Sequence, residues 1–317
     1  MLPLLLFGTI LGGSLFVLIK GAGLFIDSAR SLGMRMGMSP FVIGVLIVGL
    51  GTSLPELAAS LAAVWSGATE IVVANVVGSN ITNILLVVGL LALLSHRVIT
   101  VHRDLLRTEL PLFVIATTHF VFIVSDGVVT RMESLLLLGT FGAYLWYIIS
   151  EPSNSEEFES EDETPTSHAP LQQTLFILVM GLGAVVAGAY LTVESAILIA
   201  AMLNVPLGVV SILGIAIGTS LPELVVSLQA LKTGAADMAI GNIFGSNAMN
   251  MLLVAGLPAL ILPLQADEVV MSIGLHIMVA ASIIFVIHGL AGRFMRWEGL
   301  MLLLFFGFFV IQLFTLI

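Results

Sequence analysis

The chain is 317 residues long, 59% hydrophobic and only 9% charged, with a mean hydropathy of +1.16. No water-soluble domain needs that ratio, so the chain is expected to be integral to a membrane. It has no cysteine, which excludes disulfides and thiolate metal chemistry, and its net charge of −10 is no guide to partners because seven of its twenty acids crowd into one segment.

A helical span needs about 20 apolar residues. Ten such stretches occur, near residues 3–26, 40–65, 70–94, 108–125, 132–150, 171–193, 205–231, 236–262, 268–290 and 297–316. The first lacks a basic leader and is too long for a signal peptide, so it reads as a retained span. Its Gly8, Gly12 and Gly13 suggest close helix packing, and Lys20 is expected to snorkel. The second stretch carries Gly51-Thr52-Ser53-Leu54-Pro55-Glu56-Leu57, and the third carries Asn75, Gly78-Ser79-Asn80 and Asn83. Glu70, Glu109, Asp126, Glu133, Glu194, Asp237, Asp267 and Glu268 fall near span ends and read as interfacial or solvated. His119 and His276, alone within spans, read as packed or hydrogen-bonded. After the fifth stretch come Glu151, Glu156, Glu157, Glu159, Glu161, Asp162 and Glu163 among Pro, Ser and Thr, the composition of a flexible, solvated linker. The seventh stretch then repeats the heptapeptide as Gly218–Leu224. The eighth repeats the rest as Asn242, Gly245-Ser246-Asn247 and Asn250, all at one offset of 167 residues.

Basic residues set the expected orientation. Arg30, Arg35, Arg97, Arg103, Arg107, Lys232, Arg293 and Arg296 all fall on one side of a ten-span layout, and only Arg131 falls on the other. Basic loops mark the cytoplasm, so both termini are expected outside and the acidic linker inside. Five spans separate the two heptapeptides. Five is odd, so the copies enter the membrane from opposite faces. The expected fold is therefore all-α and membrane-integral, with ten transmembrane helices in two inverted five-helix repeats: residues 1–150, a cytoplasmic linker 151–168, and residues 169–317. Inverted repeats of this kind are a transporter architecture with the site at mid-membrane.

The repeated residues suit a hard cation. A carboxylate within a span is costly and is a functional-site hypothesis by default. Pro55 has no N–H, so the carbonyl of Gly51 loses its helical partner and must find another in lipid. Thr52 and Ser53 share a helix face with Glu56, as Thr219 and Ser220 do with Glu223, and Ser79 and Ser246 stand one turn before Asn83 and Asn250. Two carboxylates, two amides and six hydroxyls offer only oxygen. That is the chemistry Ca2+ and Na+ prefer, and it argues against Zn or Cu. The competing reading of Ser53-x-x-Glu56 is a capping box for a restarting helix.

These residues resemble the α-repeats of the Na+/Ca2+ exchanger family, prokaryotic in type, within the cation/Ca2+ exchanger superfamily. The match is Gly-Thr-Ser-Leu-Pro-Glu plus Gly-Ser-Asn-x-x-Asn, twice, over roughly residues 40–90 and 207–257. The resemblance implies antiport of Ca2+ against Na+ at four clustered sites. It assigns Glu56 and Glu223 as central Ca2+ ligands, with Thr52, Ser53, Ser79, Thr219, Ser220 and Ser246 flanking them, backbone carbonyls near Gly49 and Ala216 joining, and spans one and six sliding as a gate. Some members carry Asp at the position of Asn250, and members that co-transport K+ carry an acid there. With Asn83 and Asn250 both amides, exchange without K+ is expected. A proton-driven divalent-cation antiporter is the alternative, because a desolvated carboxylate can itself bind a proton.

Other classes fit less well. Polar rings can line a channel, but inverted, symmetric motifs favour alternating access. An intramembrane serine enzyme would need a His or Lys base that neither motif supplies. A nucleotide-driven pump would need a phosphate-binding loop, and none occurs. The expectation is a non-enzymatic transporter of the plasma or inner membrane, functional as a monomer. It needs no cofactor beyond its transported ions and binds no nucleic acid.

Overall fold

The computed structural model describes residues 2–95, 98–101, 109–150, 170–202, 218 and 220–315. The acidic linker, Thr219 and Ala216 lie outside the described residues. The described helices are α1 (Leu2–Arg35), α2 (Pro40–Trp65), α3 (Glu70–Leu94), α4 (Glu109–Val124), α5 (Arg131–Ser150), α6 (Leu171–Met202), α7 (Leu221–Lys232), α8 (Ala236–Ile261), α9 (Val270–Ala291) and α10 (Arg296–Thr315). Among the described residues, eight helices are long and apolar enough to cross a membrane. The two shorter ones are α4 and α7, and the residues before α7 lie largely outside the description. The chain is a multi-pass membrane protein.

Packing divides the helices into two groups. Helices α1 and α6 run along each other and form a small apolar core with Ile43, Val48, Val226 and Met238. The other helices share a larger core. Lipid is as apolar as a leucine side chain, so helices in a membrane are held by close van der Waals fit rather than by a hydrophobic drive. Glycine supplies that fit here. A Cβ on Gly21 would lie 2.7 Å from the Cβ of Ala184, one on Gly181 2.7 Å from the amide N of Phe25, and one on Gly188 2.8 Å from that of Leu18. Gly8, Gly12 and Gly13, expected to pack, instead face open space.

The tightest contact lies between α2 and α8. Side chains on Gly44 and Gly241 would collide with the carbonyls of Met238 and Phe41, and one on Gly245 would lie 2.5 Å from the carbonyl of Val45. Only glycine allows backbones this close. Phe244 on α8 then stacks against Phe285 of α9 at 4.5 Å between centroids and edge-on to Phe113 of α4 at 5.6 Å. This seats α8 at the centre of the larger group.

Two short antiparallel ladders close the ends. Strand β1 (Ile99–Thr100) pairs with β4 (Arg293–Phe294), and β2 (Val128–Val129) pairs with β3 (Leu264–Gln265). The first ties the α3–α4 connection to the α9–α10 connection. The second ties the α4–α5 connection to the α8–α9 connection.

Candidate cation site

Helix α2 is irregular where the motif begins. Gly44–Gly49 is a π-helical stretch, Leu50–Thr52 returns to α, and at Ser53 the backbone leaves the helix with φ −88° and ψ 4°. The chain restarts as Leu54–Trp65 with Pro55 in its first turn, where a missing N–H costs nothing. Ser220 has the same φ and ψ, and Leu221–Lys232 restarts with Pro222 in the same place. Asn83 and Asn250 lie in two further π-helical turns, Thr82–Val88 and Asn250–Val254. A π-turn widens the helix and turns backbone and side chains toward a ligand, and such turns gather at functional sites. No residue type in the sequence signals them.

All the expected ligand residues that fall within the description are buried: Gly49, Thr52, Ser53, Glu56, Ser79, Asn83, Ser220, Glu223, Ser246 and Asn250. The capping-box reading fails, because neither Ser53 nor Ser220 caps its helix with its side chain. Instead Ser53 Oγ donates to Glu223 Oε1 at 3.1 Å, across the two halves of the chain. Thr52 Oγ1 lies 3.1 Å from Asn242 Oδ1, 3.3 Å from Ser246 Oγ and 3.4 Å from the Gly49 carbonyl. Ser246 Oγ lies 3.3 Å from that same carbonyl. Four oxygens thus share one small volume with only two hydroxyl hydrogens between them. The helix carrying Glu56 packs on the π-turn of Asn250, and the helix carrying Glu223 packs on the π-turn of Asn83. Each carboxylate-bearing helix therefore packs against the amide-bearing turn of the other half.

Several of these oxygens have no hydrogen bond among the described residues: both of Glu56, Oε2 of Glu223, Oδ1 of Asn83 and of Asn250, and Oγ of Ser220. An unsatisfied buried polar group costs about 1–3 kcal/mol, and a charged one more. Six together rival the whole stability of a domain, about 5–15 kcal/mol. Acceptors kept together at that cost are what a cation requires. Among the described residues no three His, Cys, Asp or Glu side chains converge on one point, so hydroxyl, amide and carbonyl oxygens must complete any shell around the two carboxylates.

Some sequence expectations need correction. Glu109, read as solvated, is 1% exposed and anchors the start of α4 inside the protein. His119 is hydrogen-bonded to Thr140 at 2.9 Å as expected, whereas His276 is exposed. Ser60 and Ser227 went unnoticed. Both are buried beside the site, and the 167-residue offset that relates the motifs also relates them.

Comparison with known proteins places the chain in a family. The sequence profile described as "Sodium/calcium exchanger protein" matches residues 6–150 and 173–315. The chain is 36% identical over 303 residues to the "Putative antiporter CaxA" of Alkalimonas amylolytica, covering 92% of this chain and 93% of that one. It is 34% identical over 339 residues to the "Sodium/calcium exchanger MaX1" of Methanosarcina acetivorans, covering 95% and 96%. Its fold matches a structure of the sodium-calcium exchanger NCX_Mj, soaked with zero Na+ and Ca2+, with a TM-score of 0.83 and 28% identity over 99% of this chain and 100% of that one. With the family profile spanning nearly the whole chain and the oxygen-rich motifs buried where its two halves meet, the protein belongs to the sodium/calcium exchanger family of antiporters.

Proposed function

We propose that the chain exchanges Ca2+ for Na+ by alternating access, with Ca2+ held between Glu56 and Glu223 and Na+ taking the flanking oxygens. The observation that carries this reading is the set of buried acceptors without partners, gathered from both halves of the chain. Two carboxylates balance one Ca2+, or share two or more Na+ at lower field per ion, and a site that cannot hold both loads at once couples their movements. The oxygens of Gly49, Thr52 and Ser246 suit a Na+ position, since they carry no formal charge. Thr219 and the carbonyl of Ala216 would serve the matching position in the second half. Asn83 and Asn250 would complete the central shell as neutral ligands.

The proposed layout is ten spans in two inverted repeats, 1–150 and 169–317, joined by the cytoplasmic segment 151–168, with both termini outside. The two ladders support it: each joins connections separated by an even number of spans, so both partners lie on one face. Helices α1 and α6 pack most extensively on each other, in a core distinct from the larger one, which supports their sliding together against the α2, α7 and α8 residues that border that core. The ion path runs within one chain, so a monomer in the plasma or inner membrane suffices.

Radiolabelled Ca2+ uptake into proteoliposomes preloaded with Na+ tests the proposal. A matched set holds K+ or choline with a pH gradient. Uptake that needs the Na+ gradient supports the reading. Uptake driven only by the pH gradient keeps the site and reassigns the coupling ion to H+.

A further inference from the structure

We infer that Asn75 and Asn242, each seated on a serine, are positioning residues that turn the ligand hydroxyls toward the ions. The geometry repeats in both halves. Asn75 Nδ2 donates to the backbone carbonyl of Glu56 at 3.4 Å and to Ser60 Oγ at 3.2 Å. Asn242 Nδ2 donates to the carbonyl of Glu223 at 3.4 Å and to Ser227 Oγ at 2.8 Å. All four side chains are at most 4% exposed. Ser60 and Ser227 sit one turn after the glutamates, so each amide clasps the turn that bears the carboxylate.

The clasp settles which end of the amide faces the site. A carbonyl only accepts, so the group facing it must be the NH2 end. Oδ1 then points the other way, to the hydroxyls. Asn75 Oδ1 lies 3.5 Å from Ser79 Oγ. Asn242 Oδ1 lies 3.1 Å from Thr52 Oγ1 and 3.5 Å from Ser246 Oγ.

A hydroxyl binds a cation through its lone pairs and must send its hydrogen elsewhere. Around the Gly49 carbonyl, two hydroxyls need to dispose of two hydrogens. If they point at that carbonyl, they block a cation ligand. Asn242 Oδ1 has two lone pairs and can take both hydrogens. The hydroxyl lone pairs and the Gly49 carbonyl are then left for the ion. Asparagine suits the task because it is neutral: aspartate would set an anionic oxygen against the Glu223 carbonyl and add a third charge. A hydrophobic residue would undo the clasp and send both hydroxyl hydrogens back to the Gly49 carbonyl.

This inference rests on the proposed function, in which those hydroxyls bind ions, and the test separates the two. Wild-type protein in proteoliposomes holding unlabelled Ca2+ should take up radiolabelled Ca2+ by self-exchange without Na+, and added Na+ should compete. Asn242→Ala should raise the Na+ concentration for half-inhibition about tenfold. Thr52→Val should raise it similarly, and the double variant should be less than additive, because Asn242 acts in part through Thr52 and in part through Ser246. Ser227→Ala loosens the amide without removing it and should raise the same constant about threefold. It also keeps the test open if Asn242→Ala fails to fold. A purely structural role would lower the yield of folded protein or the maximal rate and leave the Na+ constant in place. An unmoved Na+ constant in Asn242→Ala or Ser227→Ala, or additive effects in the double variant, overturns the positioning role alone. Wild-type protein that exchanges no Ca2+ overturns the functional reading and this inference with it.

Discussion

Ser53 and Ser220 stand at the same break in the same backbone conformation, yet Ser53 Oγ reaches Glu223 Oε1 while Ser220 Oγ has no hydrogen-bond partner among the described residues. The same inequality holds elsewhere. Asn83 Nδ2 donates to Asn247 Oδ1 at 3.4 Å across the halves. The mirror of that bond would join Asn250 to Asn80, but Asn80 Nδ2 turns back to the Val76 carbonyl and neither side-chain polar atom of Asn250 has a partner among the described residues. The clasps of Asn75 and Asn242 are alike in both halves. Among the described residues, the bonds that hold each glutamate within its own half are symmetric, whereas two bonds that bridge the halves, Ser53 to Glu223 and Asn83 to Asn247, lack their mirrors. An inverted repeat open to one side of a membrane must break its own symmetry somewhere. Here the break falls on these two bridges. On the proposed mechanism, the state open to the other side makes the mirror bonds, Ser220 to Glu56 and Asn250 to Asn80.

The largest expected effect tests the symmetric part. Glu56→Gln and Glu223→Gln should each cut Na+-dependent Ca2+ uptake by about 100-fold or more, since each removes a charge that a desolvated cation needs. Near-normal flux in either variant would show that the halves are not equivalent at the ion and would break the comparison. Next in size are Asn250→Asp and Asn83→Asp. A third carboxylate raises the ligand charge, which tunes cation affinity by orders of magnitude. The half-inhibiting concentrations of competing cations should shift about tenfold, more for Asn250, which is unbonded, than for Asn83, which is tied to Asn247. Unchanged ion competition in Asn250→Asp would show that this side chain does not face the site.

A third substitution probes the frame. Gly245→Ala forces a Cβ to within 2.8 Å of the Val45 Cα and closer still to its carbonyl. The contact is backbone, so it cannot yield by a rotamer change. The expected cost is about 1–3 kcal/mol, read as a lower melting temperature in detergent. Gly12→Ala, on the open face of α1, should leave melting unchanged or raise it, because alanine favours helix over glycine by about 1 kcal/mol. Equal melting of the two variants would show that the α2–α8 contact is looser than its geometry.

How much of this was legible in the sequence differs by level. The 167-residue repeat located the buried oxygens and the restarts at Pro55 and Pro222. Polar residues are costly within apolar runs, so their exact duplication there marks a site that both halves need. The π-turns at Gly49, Asn83 and Asn250 were invisible, since a one-residue widening of a helix has no compositional mark. The packing glycines were misplaced. A cluster such as Gly8, Gly12 and Gly13 looks like a helix interface, but facing surfaces are set by the partner's path, and that selects Gly21, Gly181 and Gly188. The competing capping-box reading fails at both restarts: Glu223 claims the Ser53 hydroxyl, and the Ser220 hydroxyl leaves its helix uncapped although no described residue claims it.

The smallest expected effect bears on the asymmetry itself. Ser53→Ala removes a hydroxyl bonded to a carboxylate in the state seen here. Ser220→Ala removes one that is unbonded in this state and bonded in its mirror. A hydrogen bond to a charged group is worth about 1.5–3 kcal/mol, yet part of it returns when the freed carboxylate oxygen turns to the ion. A change of about threefold to tenfold in apparent Ca2+ affinity is therefore expected. The side on which it appears matters more than its size. With Ca2+ titrated from each face of oriented vesicles in turn, Ser53→Ala should shift affinity from one face and Ser220→Ala from the other. If both variants move the same face, the Ser53 bridge is a fixed strut and the asymmetry belongs to the chain. Opposite faces would make the bridge one of a pair of latches, each closed only while the other is open.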